Sequence, residues 1–262
     1  MPEFETIEYE VRDRVAHLTL ARADKRNAIN REMFVELGDA AEVAAADADV
    51  FAVLLAGHGP TFCAGIDLTA LSGLAGVQGA QFRAFVRLAQ RPFRTLATMD
   101  KPVVAAVQGH AVGAGFQLAL AADVRVAARD VRFGMLEARY GLIPDLGGMH
   151  RLARLVGPAR AKELVWTARL VEADEADRLG LVNRVVDGEP LDAAAELIAD
   201  ILAVSPVPVA LSKALIDRAH DTPLETELER EQHAQTICIA SEDHREAIAA
   251  FLEKRPARYG GR

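Results

Sequence analysis

Val103-Val104-Ala105-Ala106-Val107, entered through Lys101-Pro102 and left through Gln108-Gly109, is the stretch on which the fold turns. Five apolar residues in a row, bounded by a proline and a glycine, spell a short strand buried on both faces. Four residues beyond Gly109, Gly113-Ala114-Gly115 opens an alanine-rich run that reads as a helix ending near Asp123. A second strand, Val124 to Ala127, follows. Strands alternating with helices predict an α/β core with a substantially parallel sheet.

Towards the N-terminus, Ile7, Tyr9 and Val11 alternate with charged residues, as do Ala16, Leu18 and Leu20 after Arg12-Asp13-Arg14, so a β-hairpin is expected. Asn30 is a candidate N-cap for a helix carrying Met33, Phe34, Leu37, Ala41 and Ala44 on one face. Val50 to Ala56 reads as another buried strand, and Phe82, Phe85, Val86, Ala89, Phe93 and Leu96 mark a later helix. The Gly- and Ala-rich stretch from Leu71 to Gly79 between them is expected to be a mobile loop over the site. From Pro158 the pattern reads as almost wholly helical, with Trp166 in the core. The expected organisation is an α/β core over residues 1–190 and a C-terminal helical region over 191–262.

Composition narrows the function. Of 262 residues, 51% are apolar and 26% charged, which suits a globular protein with a sizeable core. Thirty Lys and Arg against 38 Asp and Glu give a net charge of −8, which argues against nucleic acid or an anionic membrane as partner. Two distant cysteines, Cys63 and Cys238, fit packing roles in a reducing compartment. The acidic start lacks the pattern of a signal peptide, and no run of about 18 apolar residues occurs. A soluble cytoplasmic protein is expected.

Familiar catalytic motifs fail one after another. Gly113-Ala114-Gly115 starts like a dinucleotide fingerprint, but the third glycine is replaced by Leu118. Walker A, His-Glu-x-x-His and Gly-x-Ser-x-Gly sequences are absent, none of the four serines sits at a strand-to-helix elbow, and seven histidines show no metal-ligand cluster. What remains is a site of backbone N–H groups and a few carboxylates.

Two segments, Thr61-Phe62-Cys63-Ala64-Gly65-Ile66-Asp67-Leu68 and Lys101 to Gly109, resemble the signature of the enoyl-CoA hydratase/isomerase (crotonase) family. Arg26-Asn27-Ala28, Gly113-Ala114-Gly115, Gly141-Leu142-Ile143-Pro144, Gly147-Gly148, Arg151-Leu152 and Glu253-Lys254-Arg255 extend the likeness across the chain in the family's order. The resemblance implies an α/β fold with a (ββα)n spiral core and a C-terminal helical region that forms trimers, or hexamers as pairs of trimers. It implies an enzyme of acyl-CoA thioesters with no metal and no resident cofactor, coenzyme A entering as part of the substrate. Carried over by position, the N–H groups of Ile66 and Ala114 form the oxyanion hole. Arg26, Ala28, Ala64, Asp67 and Lys254 contact coenzyme A. The catalytic positions are Gln117, Glu137 and Asp145.

Physical chemistry agrees at the oxyanion positions, because unsatisfied N–H groups at a strand end and a helix start suit an enolate oxygen. The bland alternative is that Gly113 and Gly115 only permit close packing. Hydratases of the family carry glutamates at the two positions that are here Gln117 and Glu137, 20 residues apart. A carboxamide carries no titratable proton at neutral pH, so one carboxylate moving one proton is expected, which suits enoyl-CoA isomerisation better than hydration. Hydration proper, another thioester reaction such as hydrolysis or decarboxylation, and a weakly active or non-catalytic acyl-CoA binding protein are the alternatives. Asp145 reads equally as a second proton site and as the N-cap of a helix from Leu146 to Val156.

Overall fold

The computed structural model describes residues 4–73 and 76–261. Strands β1 (Ile7–Arg12) and β2 (Val15–Leu20) form the expected hairpin, turning through Asp13 and Arg14 at positive φ. Asn30 caps α1 (Arg31–Ala46) by accepting the Met33 N–H at 2.9 Å. Strand β3 (Ala52–Gly57) follows, then α2 (Leu68–Ser72) and α3 (Gly79–Thr98). The stretch expected as a loop therefore begins inside α2 and ends at the first residue of α3; Leu74 and Ala75 lie outside the described residues.

The decisive stretch is β4 (Val103–Val107), buried along its whole length. It continues into a short strand not foreseen from the sequence, β5 (His110–Val112), and then α4 (Ala114–Ala119), β6 (Val124–Ala128) and β7 (Arg132–Gly134). Helix α4 stops at Ala119 rather than near Asp123. Buried Arg125 takes the carbonyl of Ala122 at 2.7 Å, while Asp123 accepts the Val103 N–H at 2.7 Å and ties the turn to the head of β4. Burial lowers the Arg125 guanidinium to about 10, so it stays cationic at neutral pH.

Helices α5 (Gly148–Val156) and α6 (Pro158–Thr167) lead to β8 (Val171–Glu172), α7 (Ala173–Leu179) and β9 (Arg184–Val186). Thus the segment after Pro158 is not wholly helical. Two- and three-residue strands are too short to show a period, and it is their partners that make them strands. Helices α8 (Pro190–Leu202), α9 (Pro206–Ile216), α10 (Leu224–Ala240) and α11 (Glu242–Glu253) complete the chain. Trp166, expected in the core, is 73% exposed on α6, whose buried face is formed by Ala161 and Leu164.

The strands make a spiral. The larger sheet runs β1-β2-β3-β4-β6-β9, parallel from β2 onward. The smaller one, β5-β7-β8, is extended by isolated parallel bridges that pair Cys63 with Ala111 and Ile29 with Ile66. Each turn thus lays one strand in each layer. By contact the chain forms two compact units, Met1–Met99 with Val103–Ala195 and Asp100–Pro102 with Glu196–Arg262. In the first unit α1 packs on α3, and Phe34 and Phe93, both fully buried, sit 6.3 Å apart. Burial of such side chains stabilises by about 1.5–3 kcal/mol each.

Candidate active site

The segment from Thr61 to Asp67 is held from both sides. Buried Asn27 donates through Nδ2 to the carbonyls of His58 (2.9 Å) and Thr61 (2.8 Å), and accepts the Arg22 N–H at 3.0 Å. On the other flank Cys63 donates its N–H to His110 at 3.0 Å and accepts from Val112 at 3.1 Å. Ile29 donates to Gly65 (2.7 Å) and accepts from Asp67 (2.9 Å), so the N–H of Ile66, between them, has no acceptor among the described residues. The N–H of Ala114, first residue of α4, has none either.

Glycine is required where these two groups meet. At Gly65 (φ +95°) a Cβ would lie 2.9 Å from the Val112 carbonyl oxygen and 3.7 Å from Ala114 N. At Gly113 (φ +54°) it would lie 3.9 Å from Gly65 Cα and 3.6 Å from Glu137 Oε1. Gly115 answers to packing instead, since a Cβ there would fall 2.3 Å from the Cys63 carbonyl oxygen. Gly113 thus borders the Glu137 carboxyl, whereas Gly115 permits close packing.

Ile66, Ala114 and Glu137 line one cavity of about 370 Å³, with Ala28, Ala64 and Asp67 on its wall and Leu68, Val112, Leu136, Tyr140 and Leu142 as its apolar part. Glu137 opens a 3₁₀ turn, Glu137–Tyr140, directly after β7 and Met135-Leu136. Its Oε1 accepts from Gln117 Nε2 at 2.7 Å, and its Oε2 is buried with no partner among the described residues. Gln117 itself is 1% exposed, and its Oε1 accepts the N–H groups of Leu146 (2.9 Å) and Gly148 (3.1 Å). Burial raises the Glu137 carboxyl above the usual range, partly offset by its own backbone N–H and by the hydrogen bond from Gln117, and the charge of Asp145 adds to the rise.

Asp145 is half-buried and its own carboxyl is raised by burial. It is not a helix cap. The helix begins at Gly148 with Gly147 as its N-cap, and the N–H of Gly148 is accepted by Gln117 rather than by Asp145, so the expected Leu146 start is two residues early. The Asp145 backbone is fixed by Gln90, which donates to its carbonyl at 2.6 Å.

The positions proposed for coenzyme A divide. Asp67 commits its carboxylate to the protein: Thr69 donates to Oδ1 and Arg22 to Oδ2, and the Thr69 bonds, foremost that from its hydroxyl, hold the carboxyl below its ordinary value. Arg26 is exposed and left-handed, its carbonyl accepting the Ala64 N–H, whereas Lys25 lines the cavity. Lys254 belongs to the second unit, at the left-handed C-cap of α11. Sequence reasoning missed Lys25 and Arg22 because a loop cation has no periodicity to mark it. Among the described residues no three His, Cys, Asp or Glu gather as a metal site.

A spiral of strands in two layers, with two residues of unpaired N–H and a buried carboxyl lining one cavity, defines an enzyme of the crotonase class. The chain belongs to the enoyl-CoA hydratase/isomerase family, whose sequence profile matches residues 10–262. It is 38% identical to a crotonyl-CoA hydratase of Syntrophomonas wolfei over 98% of both chains. It is 37% identical to a 1,2-epoxyphenylacetyl-CoA isomerase of Escherichia coli over 95% of both. A Thermobifida fusca YX protein taken to be an enoyl-CoA hydratase, solved in complex with acetoacetyl-CoA, is 36% identical, covers 90% of this chain and 95% of its own, and superposes with a TM-score of 0.82. Nearly equal identity to a hydratase and to an isomerase leaves the reaction to be argued from the site.

Proposed function

We propose that the protein isomerises the double bond of an enoyl-CoA thioester through an enolate held by the N–H groups of Ile66 and Ala114, with Glu137 as the proton carrier. The observation that carries this reading is the partnerless, buried Oε2 of Glu137, whose carboxyl lies beside Gly113, together with Gln117 where a second glutamate would stand. In a 3-enoyl thioester the carboxylate takes a proton from C2, and the electron pair spreads into a dienolate whose oxygen the two donors hold. The C3–C4 double bond becomes C2–C3 as the same proton adds at C4. Neither water nor a resident cofactor enters this proposal. Each oxyanion donor of this kind contributes about 3–4 kcal/mol in the transition state.

Coenzyme A is proposed to run along Ala28 and Ala64, with Lys25 or Arg26 meeting a phosphate, and Lys254 is proposed to reach the coenzyme A of a neighbouring subunit. Asp145 takes no step in this one-proton scheme; its charge beside Glu137 is what favours hydration as the second reading, because it offers a second carboxyl as a proton site. The chain is further proposed to be cytoplasmic and to work as a trimer or a pair of trimers. Among the described residues no single helix is long and apolar enough to cross a membrane.

The test is a panel of 2-enoyl and 3-enoyl CoA esters followed by mass spectrometry and NMR of the products. A moved double bond at constant mass supports isomerisation. A gain of one water identifies hydration, and binding of saturated esters without conversion of any enoyl ester identifies a carrier.

A further inference from the structure

We infer that Gln117 is a positioning residue: it grips Glu137 by one oxygen, leaves the other free to carry the proton, and ties this carboxyl to the turn bearing Asp145. The inference rests on the reading of Glu137 as the acid/base.

The hydrogen bonds decide which way the amide points. Its oxygen receives two backbone N–H groups, from Leu146 and Gly148, and these are donors that only an acceptor can satisfy. A flipped amide would set its NH2 against both, at the cost of two buried unsatisfied donors. The NH2 must therefore face Glu137, where it sits 2.7 Å from Oε1. In that orientation Gln117 donates to Glu137 and has no lone pair to offer it. It favours the ionised carboxylate, against the burial that disfavours it.

A glutamate in the same place could accept the same two N–H groups, but its other oxygen would then stand against Oε1 of Glu137. Two carboxyls at such a distance must share a proton. The glutamine supplies the donor without a proton that titrates, and so keeps one oxygen of Glu137 engaged and the other without partner. Space for the amide comes from Gly148, where a Cβ would lie 2.4 Å from Gln117 Cγ and 2.8 Å from its Oε1. Around Glu137 the other charged groups are Asp145 and, lining the same cavity, Lys25 and Asp67, whose carboxylate is held by Thr69 and Arg22. Arg139 donates to the Ala168 carbonyl, and Arg151 to the carbonyls of Leu146 and Phe93.

The experiment compares pH profiles of kcat and kcat/KM for Gln117→Met, Gly148→Ala and Glu137→Gln on whichever enoyl-CoA ester the wild type converts. Gln117→Met removes the donor, and Gly148→Ala keeps the amide but pushes it from its seat. Each should lower kcat by about tenfold to a hundredfold with KM within about twofold, and move the acid limb of kcat/KM to higher pH. An unmoved acid limb and wild-type kcat in Gln117→Met, with turnover abolished in Glu137→Gln, overturns the positioning role and leaves Glu137 as the base. Wild-type turnover in Glu137→Gln instead overturns the reading beneath it. If Gln117→Met does not fold, Gly148→Ala decides by the same criteria; if neither folds, the isosteric Gln117→Glu does. In that variant a profile identical to wild type overturns the inference, and an acid limb moved by the shared proton supports it.

Discussion

Glu137 holds one carboxylate oxygen in a bond from Gln117 and the other in a buried, partnerless position. Replacing it by Gln preserves shape but removes proton transfer, so turnover should fall by about 10²–10⁴ with little change in KM, measured on the converted ester. A base must be ionised, so wild-type kcat/KM should decline as pH falls through a carboxyl pKa set above the ordinary range by burial. Stability carries the opposite sign. In the window between the unfolded and the raised folded pKa, the folded chain holds a proton that the unfolded chain has lost, so stability drops as pH rises through it. Glu137→Gln should therefore have a higher Tm than wild type at pH 7, and thermal scans towards pH 4 should show the gap closing. For the phosphate contact, Lys25 lines the cavity and Arg26 does not. Lys25→Ala should raise KM for CoA esters several-fold and Arg26→Ala by less; the reverse order would return the anchor to Arg26.

At the scale of elements, the Thr61–Asp67 segment owes its path to a loop residue. Asn27 is fully buried and left-handed, and its side chain closes three hydrogen bonds to backbone groups of Arg22, His58 and Thr61. Asn27→Ala strands those groups and should destabilise the fold by about 2–4 kcal/mol, read as a lower midpoint in urea with an unchanged slope. Loss of activity should exceed loss of folded protein, because the same segment carries the Ile66 N–H. If Asn27→Ala unfolds at the wild-type midpoint, the loop is held by other contacts. Helix α4 is placed by a comparable close fit, Gly115 against the Cys63 carbonyl, which brings α4 against the Thr61–Asp67 segment.

Over the whole molecule, the second unit exposes apolar side chains that a monomer leaves in water: Leu224, Leu228, Ile237 and Ile239 on α10, and Ile248, Phe251 and Leu252 on α11. They are the physical support for the trimer proposal. Sedimentation at micromolar concentration should give a single species of three or six chains, and a monomer there would remove the oligomer and the proposed role of Lys254 with it.

Hairpin, α1, β3, α3, β4 and β6 could be written from the sequence because each is long enough to show its own period, or ends at a proline, a glycine or a cap. The oxyanion positions and Glu137 came through a family likeness spread across the chain, not from any local pattern. What the tertiary structure alone decided are the elements and roles that depend on a distant partner. Strands β5, β8 and β9 are too short to declare themselves and exist through their neighbours. Trp166 looked like core by its type and lies in solvent because α6 buries another face. Asp145 read equally as a cap and as a proton site, yet the helix starts at Gly148 and the N–H groups of Leu146 and Gly148 are taken by Gln117, about 30 residues away in the chain. Sequence can show that Gln117 is a glutamine; only folding decides which of its atoms meets Glu137.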